Sequence, residues 1–200
     1  MRTLILLASM VFAALPSMAE SVCEVAALTG DAQSAGKALA KGDKLDAGAE
    51  IRTGPKGRLR LRCVDGSSIV LGDSTELKLS EFRLAANGQP RSASLLLTLG
   101  VIGQKVAPGG SWEVHTPSAV TAVRGTEFFV EVSPEQGTAV HVAEGEVAVE
   151  SPPRTRGIAP RPVIRLNKAT NGISCTIRGC APAVSWTPER VHDLQDKLAF

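Results

Sequence analysis

The chain has 200 residues, room for one domain with a sizeable core, and its 22 basic side chains nearly cancel its 20 acidic ones. Only 4% of the residues are aromatic and tyrosine is absent, so there is no basic, aromatic-rich face of the kind that binds nucleic acid. Nucleic acid is therefore not an expected partner.

The first element is Arg2 followed by the apolar run Leu4 to Leu15 and then Pro16-Ser17-Met18-Ala19, the pattern of a secretory signal peptide cleaved after Ala19. As a helix the run would extend only ~18 Å at ~1.5 Å per residue, against a hydrocarbon core of ~30 Å. No later segment makes a better membrane span, and Glu20-Ser21-Val22 before Cys23 is a poor lipoprotein signal. Cleavage would remove Arg2 and leave 21 basic against 20 acidic side chains, a formal charge of +1. Export to an oxidising compartment would make Cys23, Cys63, Cys175 and Cys180 candidates for disulfides rather than metal ligands. Of three possible pairings, Cys23 with Cys63 and Cys175 with Cys180 is favoured. In Val22-Cys23-Glu24-Val25 and Leu59-Arg60-Leu61-Arg62-Cys63, a period of two puts each cysteine on its strand's apolar side.

Residues 20–150 read as many short strands broken every eight to twelve residues by turn formers such as Gly54-Pro55, Asp65-Gly66, Asn87-Gly88 and Glu144-Gly145. Apolar and polar positions alternate in Arg58-Leu59-Arg60-Leu61-Arg62, Glu76-Leu77-Lys78-Leu79, Ala139-Val140-His141-Val142 and Glu146-Val147-Ala148-Val149. Helical periodicity is nearly absent there, which excludes alternating helices and strands. The fold class is all-β, with short antiparallel strands in a two-layer sandwich or a stacked solenoid, two alternatives that the irregular repeats leave open.

Residues 151–162, with four prolines and three arginines, read as an exposed loop or linker. Residues 163–200 should form a hairpin at Asn171-Gly172 and then a short helix opened by Thr187, Pro188 and Glu189. Val191, Leu194 and Leu198 give that helix a narrow apolar stripe with which to pack on the domain or dock a partner.

Five side chains stand out as binding candidates. Arg58, Arg60 and Arg62 share one strand face, either paired across the sheet with Glu50, Asp73 or Glu76, or simply solvated, or forming an anion-binding strip. Arg124, at a tight turn, can tie turn carbonyls to Glu127 or Glu144, or clasp a carboxylate. Phe129 falls on the outward face with Glu127 and Glu131 while Phe128, Val130 and Val132 face inward; it is either covered by the C-terminal segment or anchors a partner.

Catalysis finds little support. His115, His141 and His192 are scattered without metal-ligand spacing, and Ser67, Ser74 and Ser111 lack the strand-to-helix elbow of a serine hydrolase. No metal or cofactor is implied.

Leu45, Ile51-Arg52-Thr53-Gly54, Asp65-Gly66-Ser67, Thr116-Pro117, Arg124-Gly125-Thr126-Glu127-Phe128 and Glu144-Gly145-Glu146-Val147 together resemble the FecR-like periplasmic domain family, over about Lys37 to Val149. The resemblance implies an all-β envelope module. In its best-known members, that module senses an outer-membrane transporter and relays the signal through a membrane helix to a cytoplasmic segment controlling a sigma factor. Neither of those two parts is found in these 200 residues, so direct sigma-factor control is not expected. The expected role is binding or signalling without catalysis, toward an envelope protein partner; the alternative is a peptidoglycan or other anionic glycan ligand held by the basic strand face.

Overall fold

The computed structural model describes residues 21–86, 91–151, 162–168 and 171–200. The expected signal segment 1–19, the expected turn at Asn87-Gly88 and most of the proline-rich stretch 151–162 lie outside the described residues.

The described chain forms two sheets of nine strand segments. Sheet A contains β1 (Ser21–Thr29), β4 (Lys44–Asp46), β6 (Arg58–Cys63), β7 (Ser68–Leu71), β12 (Glu127–Ser133), β13 (Gly137–Glu144), β16 (Gly172–Thr176) and β17 (Gly179–Cys180). Sheet B contains β2 (Ala32–Ser34), β3 (Lys37–Ala38), β5 (Glu50–Thr53), β8 (Glu76–Arg83), β10 (Ser111–His115), β11 (Val120–Val123), β14 (Val147–Glu150) and β15 (Ile164–Leu166). The long β9 (Ser92–Lys105) belongs to both. Across sheet A the order is β4, β1, β6, β7, β9, β12, β13, β16, β17. Across sheet B it is β3, β2, β5, β8, β9, β10, β11, β14, β15.

β9 explains why both sandwich and solenoid could be read from the sequence. Its first half pairs with β8 and β10 in sheet B, and its second half pairs with β7 and β12 in sheet A. The crossing occurs at Gly100, whose φ of +91° bends the strand where an added Cβ would stand 2.3 Å from Thr75 Oγ1. The chain then returns through residues 106–110 and starts β10 beside the beginning of β9, in parallel, one departure from an antiparallel pattern. This is a single solenoid-like coil inside a two-layer sandwich. A buried ion pair closes it: Arg91 reaches Asp65 and the carbonyls of Ala107 and Gly109, while Ser67 Oγ accepts from the Ala107 N–H at 3.0 Å.

The inward alternate positions of both sheets meet in one apolar core. It takes Leu59, Leu61, Ile69, Phe128 and Val130 from sheet A and Ile51, Leu77, Leu95, Trp112 and Val149 from sheet B. Leu166, Ile173 and Cys175 join the same core from beyond the proline-rich stretch. Both expected disulfides are present, Cys23–Cys63 and Cys175–Cys180, each between residues directly opposite in a ladder.

The expected hairpin at Asn171-Gly172 does not form. Ile164–Leu166 pairs with β14 in sheet B, whereas Gly172–Thr176 pairs with β13 in sheet A, so the chain changes layers there instead of folding back. Gly172 serves a close approach rather than a turn, since an added Cβ would lie 2.0 Å from Trp186 Nε1.

The helix does form. α1 (Pro188–Asp196) starts at Thr187, whose hydroxyl accepts the Arg190 N–H, with Pro188 in the first turn and Glu189 at the positive end of the helix dipole. It lies on the outer face of sheet A, where Leu194 and Leu198 pack with Val101 and Phe129 in a second apolar cluster.

Candidate functional site: the outer face of sheet A

Because β6 turns Leu59, Leu61 and Cys63 inward, its period of two turns Arg58, Arg60 and Arg62 onto the outer face of sheet A. The neighbouring strands set Val70 and Ala27 beside Arg60, and Ser68 and Glu24 beside Arg62. The expected partners Glu50 and Glu76 are elsewhere: they lie on sheet B, where Glu50 holds Lys78 at 2.9 Å and Glu76 holds Arg52 at 3.4 Å. Alternation placed the arginines correctly, but which sheet an acid joins is a long-range property that local spacing does not carry.

The strip is divided between two tasks. Arg58 donates to the carbonyls of Lys197 and Asp196 at the C-terminal end of α1, both at 3.3 Å, a favourable place for a cation at the negative end of the helix. Arg60 stacks 4.5 Å from the centre of the Phe200 ring. The Arg62 side chain is exposed and forms no hydrogen bond or ion pair among the described residues. A groove of about 380 Å³ opens alongside, with Arg60, Arg62 and Lys105 on its rim, Glu127 as the carboxylate, and Val70, Phe129 and Leu198 as apolar surface. Lys105 Nζ is 3.6 Å from Glu127, so two cations remain in excess. A larger groove of about 600 Å³ on sheet B includes Arg52 and Glu76, which already satisfy each other.

Phe129 is 9% exposed beneath α1, so the structure shows the covered alternative. Arg124 is exposed and makes none of the expected ties; Glu127 faces Lys105 instead, and Glu144 is exposed. The turn is held by Thr126 Oγ, which donates to the Glu146 carbonyl at 3.1 Å, so the Arg124 fork is left in solvent.

The residues that fasten α1 went unnoticed in the sequence. Arg190 and Lys197, two helical turns apart, both reach the Glu131 carboxylate, which is 16% exposed. Burial pushes the Glu131 pKa up, but the hydrogen bonds and charges of Lys197 and Arg190 outweigh it and hold the carboxyl below its usual range. His141 and Trp186 stack beside Phe129, and Arg190 lies 4.9 Å over the Trp186 ring. The seven-residue spacing of the two basic residues was a readable signal. The outward glycines Gly72 and Gly103 were another, because an added Cβ there would stand 2.9 Å from the Lys197 carbonyl oxygen and 2.9 Å from Leu198 Cδ1. Among the described residues no helix is long and apolar enough to cross a membrane.

Comparison with known proteins places this geometry in a family. The model of the family described as FecR protein matches residues 49–148, half of the chain. No curated protein matches. Two crystal structures of a candidate anti-sigma factor from Parabacteroides distasonis ATCC 8503, solved at 2.50 and 1.65 Å, share the fold with a TM-score of 0.52 each, at 21% and 22% identity. In both cases the match covers 68% of this chain and 60% of the other, so this chain spans about three fifths of those proteins. Strands, core and matched segment agree, and the chain belongs to the FecR protein family.

Proposed function

We propose that the chain is an exported envelope module that recognises an acidic segment of a partner protein in the groove on the outer face of sheet A, as part of a signalling task and without making or breaking bonds. FecR proteins are envelope-associated and regulatory in kind, and the structural neighbours are described as a candidate anti-sigma factor, which supports a regulatory role. The two disulfides support an oxidising compartment.

One observation carries the reading. Arg60, Arg62 and Lys105 line a groove whose lining holds one carboxylate, Glu127, above apolar surface from Val70 and Leu198, with Glu24 outside it beside Arg62. That combination suits a segment offering carboxylates and an aliphatic anchor, with steering from the excess positive charge. An anionic glycan satisfies the arginines but supplies no aliphatic anchor.

The test is a photo-crosslinking amino acid placed at Arg62 in the full chain inside cells, with Lys78 on sheet B as the comparison position. The expected result is a protein adduct from position 62, mapped to an acidic stretch of its partner, weakened by salt and missing from position 78. Equal adducts from both positions, or muropeptide adducts alone, would overturn the proposal.

A further inference from the structure

The seam under α1 contains a residue that packing alone does not call for. His141 lies on the outward face of β13, directly across the ladder from Phe129, and is 3% exposed. Its ring stacks 5.9 Å from that of Phe129 and 5.3 Å from that of Trp186, with interplanar angles of 27° and 15°. Its Nδ1 is buried and has no hydrogen-bond partner among the described residues. A neutral imidazole fills this slot as a flat ring with an idle lone pair. An imidazolium adds a second N–H and a charge to a buried slot where burial disfavours the charge more than the Asn171 backbone favours it.

The surroundings reinforce that preference. β12 contributes Glu131, already engaged by Arg190 and Lys197 of the α1 segment. β16 sets the bare Gly172 opposite, β13 adds only alanines at the flanking outward positions, and Arg190 shares the Trp186 ring. The Asn171 backbone, which favours the charged ring, also accepts the Val142 N–H at 2.8 Å and so is shared between the two. The cover over His141 is therefore fastened by a cation, and no free carboxylate waits to receive a proton-bearing ring.

We propose that α1 is a proton-sensitive latch over the outer face of sheet A: protonation of His141 parts Trp186 from β13, releases the helix, bares Phe129 and frees Arg58 and Arg60. The inference rests on the groove being the recognition face and adds its regulation.

The direction follows from linkage. Burial holds the His141 pKa below its ordinary value, with the Asn171 backbone pulling the other way. The open state has an ordinary histidine and binds more protons, so closure is complete above about pH 6.5 and weakens as pH falls below that value. Glu131 acts in the same direction but only below the ordinary carboxylate range, so mild acid reads His141 alone.

Acrylamide quenching of tryptophan in the full chain tests this, because Trp112 is buried in the core and the quenchable signal comes from Trp186. From about pH 7.5 to about pH 5.5 the quenching constant should rise roughly two-fold and reversibly, with far-ultraviolet circular dichroism unchanged. His141→Phe, which keeps a flat ring and removes the proton site, should abolish the rise, whereas His115→Gln and His192→Gln should retain it. A flat profile in the unsubstituted chain, or the same rise in His141→Phe, would overturn the latch. If His141→Phe does not fold, NMR titration of His141 in the unsubstituted chain decides: a pKa well under about 6.5 supports the latch and one at or above it overturns it. A quenching rise without crosslinks from position 62 would sink only the groove reading; crosslinks with flat quenching would sink only the latch.

Discussion

The two apolar clusters of this protein are built on opposite principles. Between the sheets, Trp112, Phe128, Leu59, Leu95 and their neighbours come from alternate positions of both layers and interlock without a charged side chain. Outside sheet A, Val101, Phe129, Leu194 and Leu198 form a much smaller apolar cluster, ringed by Glu131, Arg190, Lys197 and Arg58. The inner cluster is insulated from solvent conditions. The outer one is closed by ion pairs, a short helix and a histidine, each responsive to salt, protons or a competing ligand. The contrast teaches that sheet A packs one face into the core and leaves the other under a closure that solvent conditions can reach.

The adjacent phenylalanines break the comparison most sharply. Phe128→Ala should cost about 3–5 kcal/mol and lower the midpoint of a single cooperative denaturant transition, because it opens a cavity in a packed core. Phe129→Ala should cost less than half of that in the same measurement, because the seam can open instead of holding a void.

Arg91→Ala comes next, at about 3 kcal/mol or more, since it strands the Asp65 carboxylate, whose side chain is 2% exposed. Denaturant titration at neutral pH checks it; a loss below about 1 kcal/mol would mean the clasp around β9 is ornamental. Leu194→Ala should leave the core transition nearly unmoved while speeding proteolysis within Pro188–Asp196, a split that only a separable seam produces. Arg62→Ala is the smallest in stability, within about 0.5 kcal/mol, yet should reduce capture of an acidic partner.

How much of this was legible follows the range of each interaction. The arginine face of β6, the inward Phe128 and outward Phe129, both disulfides and the capped helix all follow from periods of two or from adjacent residues, and each is where the sequence puts it. The hairpin at Asn171-Gly172 fails because a tight-turn dipeptide says nothing about which sheet each flanking strand will join. The Arg91–Asp65 pair was invisible, since the two residues are far apart in sequence and meet only when β9 completes its coil. The burial of His141 was equally invisible, because nothing local indicates that a helix about fifty positions later will lie across it.

Hydrogen exchange in the intact protein tests most directly whether the outer seam opens independently of the folded core. The backbone amides of Val191, Lys197 and Leu198 should exchange through a local opening of markedly lower free energy than those of β12 and β13, and faster still as pH drops below about 6.5 once intrinsic rates are corrected. Exchange of helix and core amides at one shared free energy, unaffected by pH, would contradict the account.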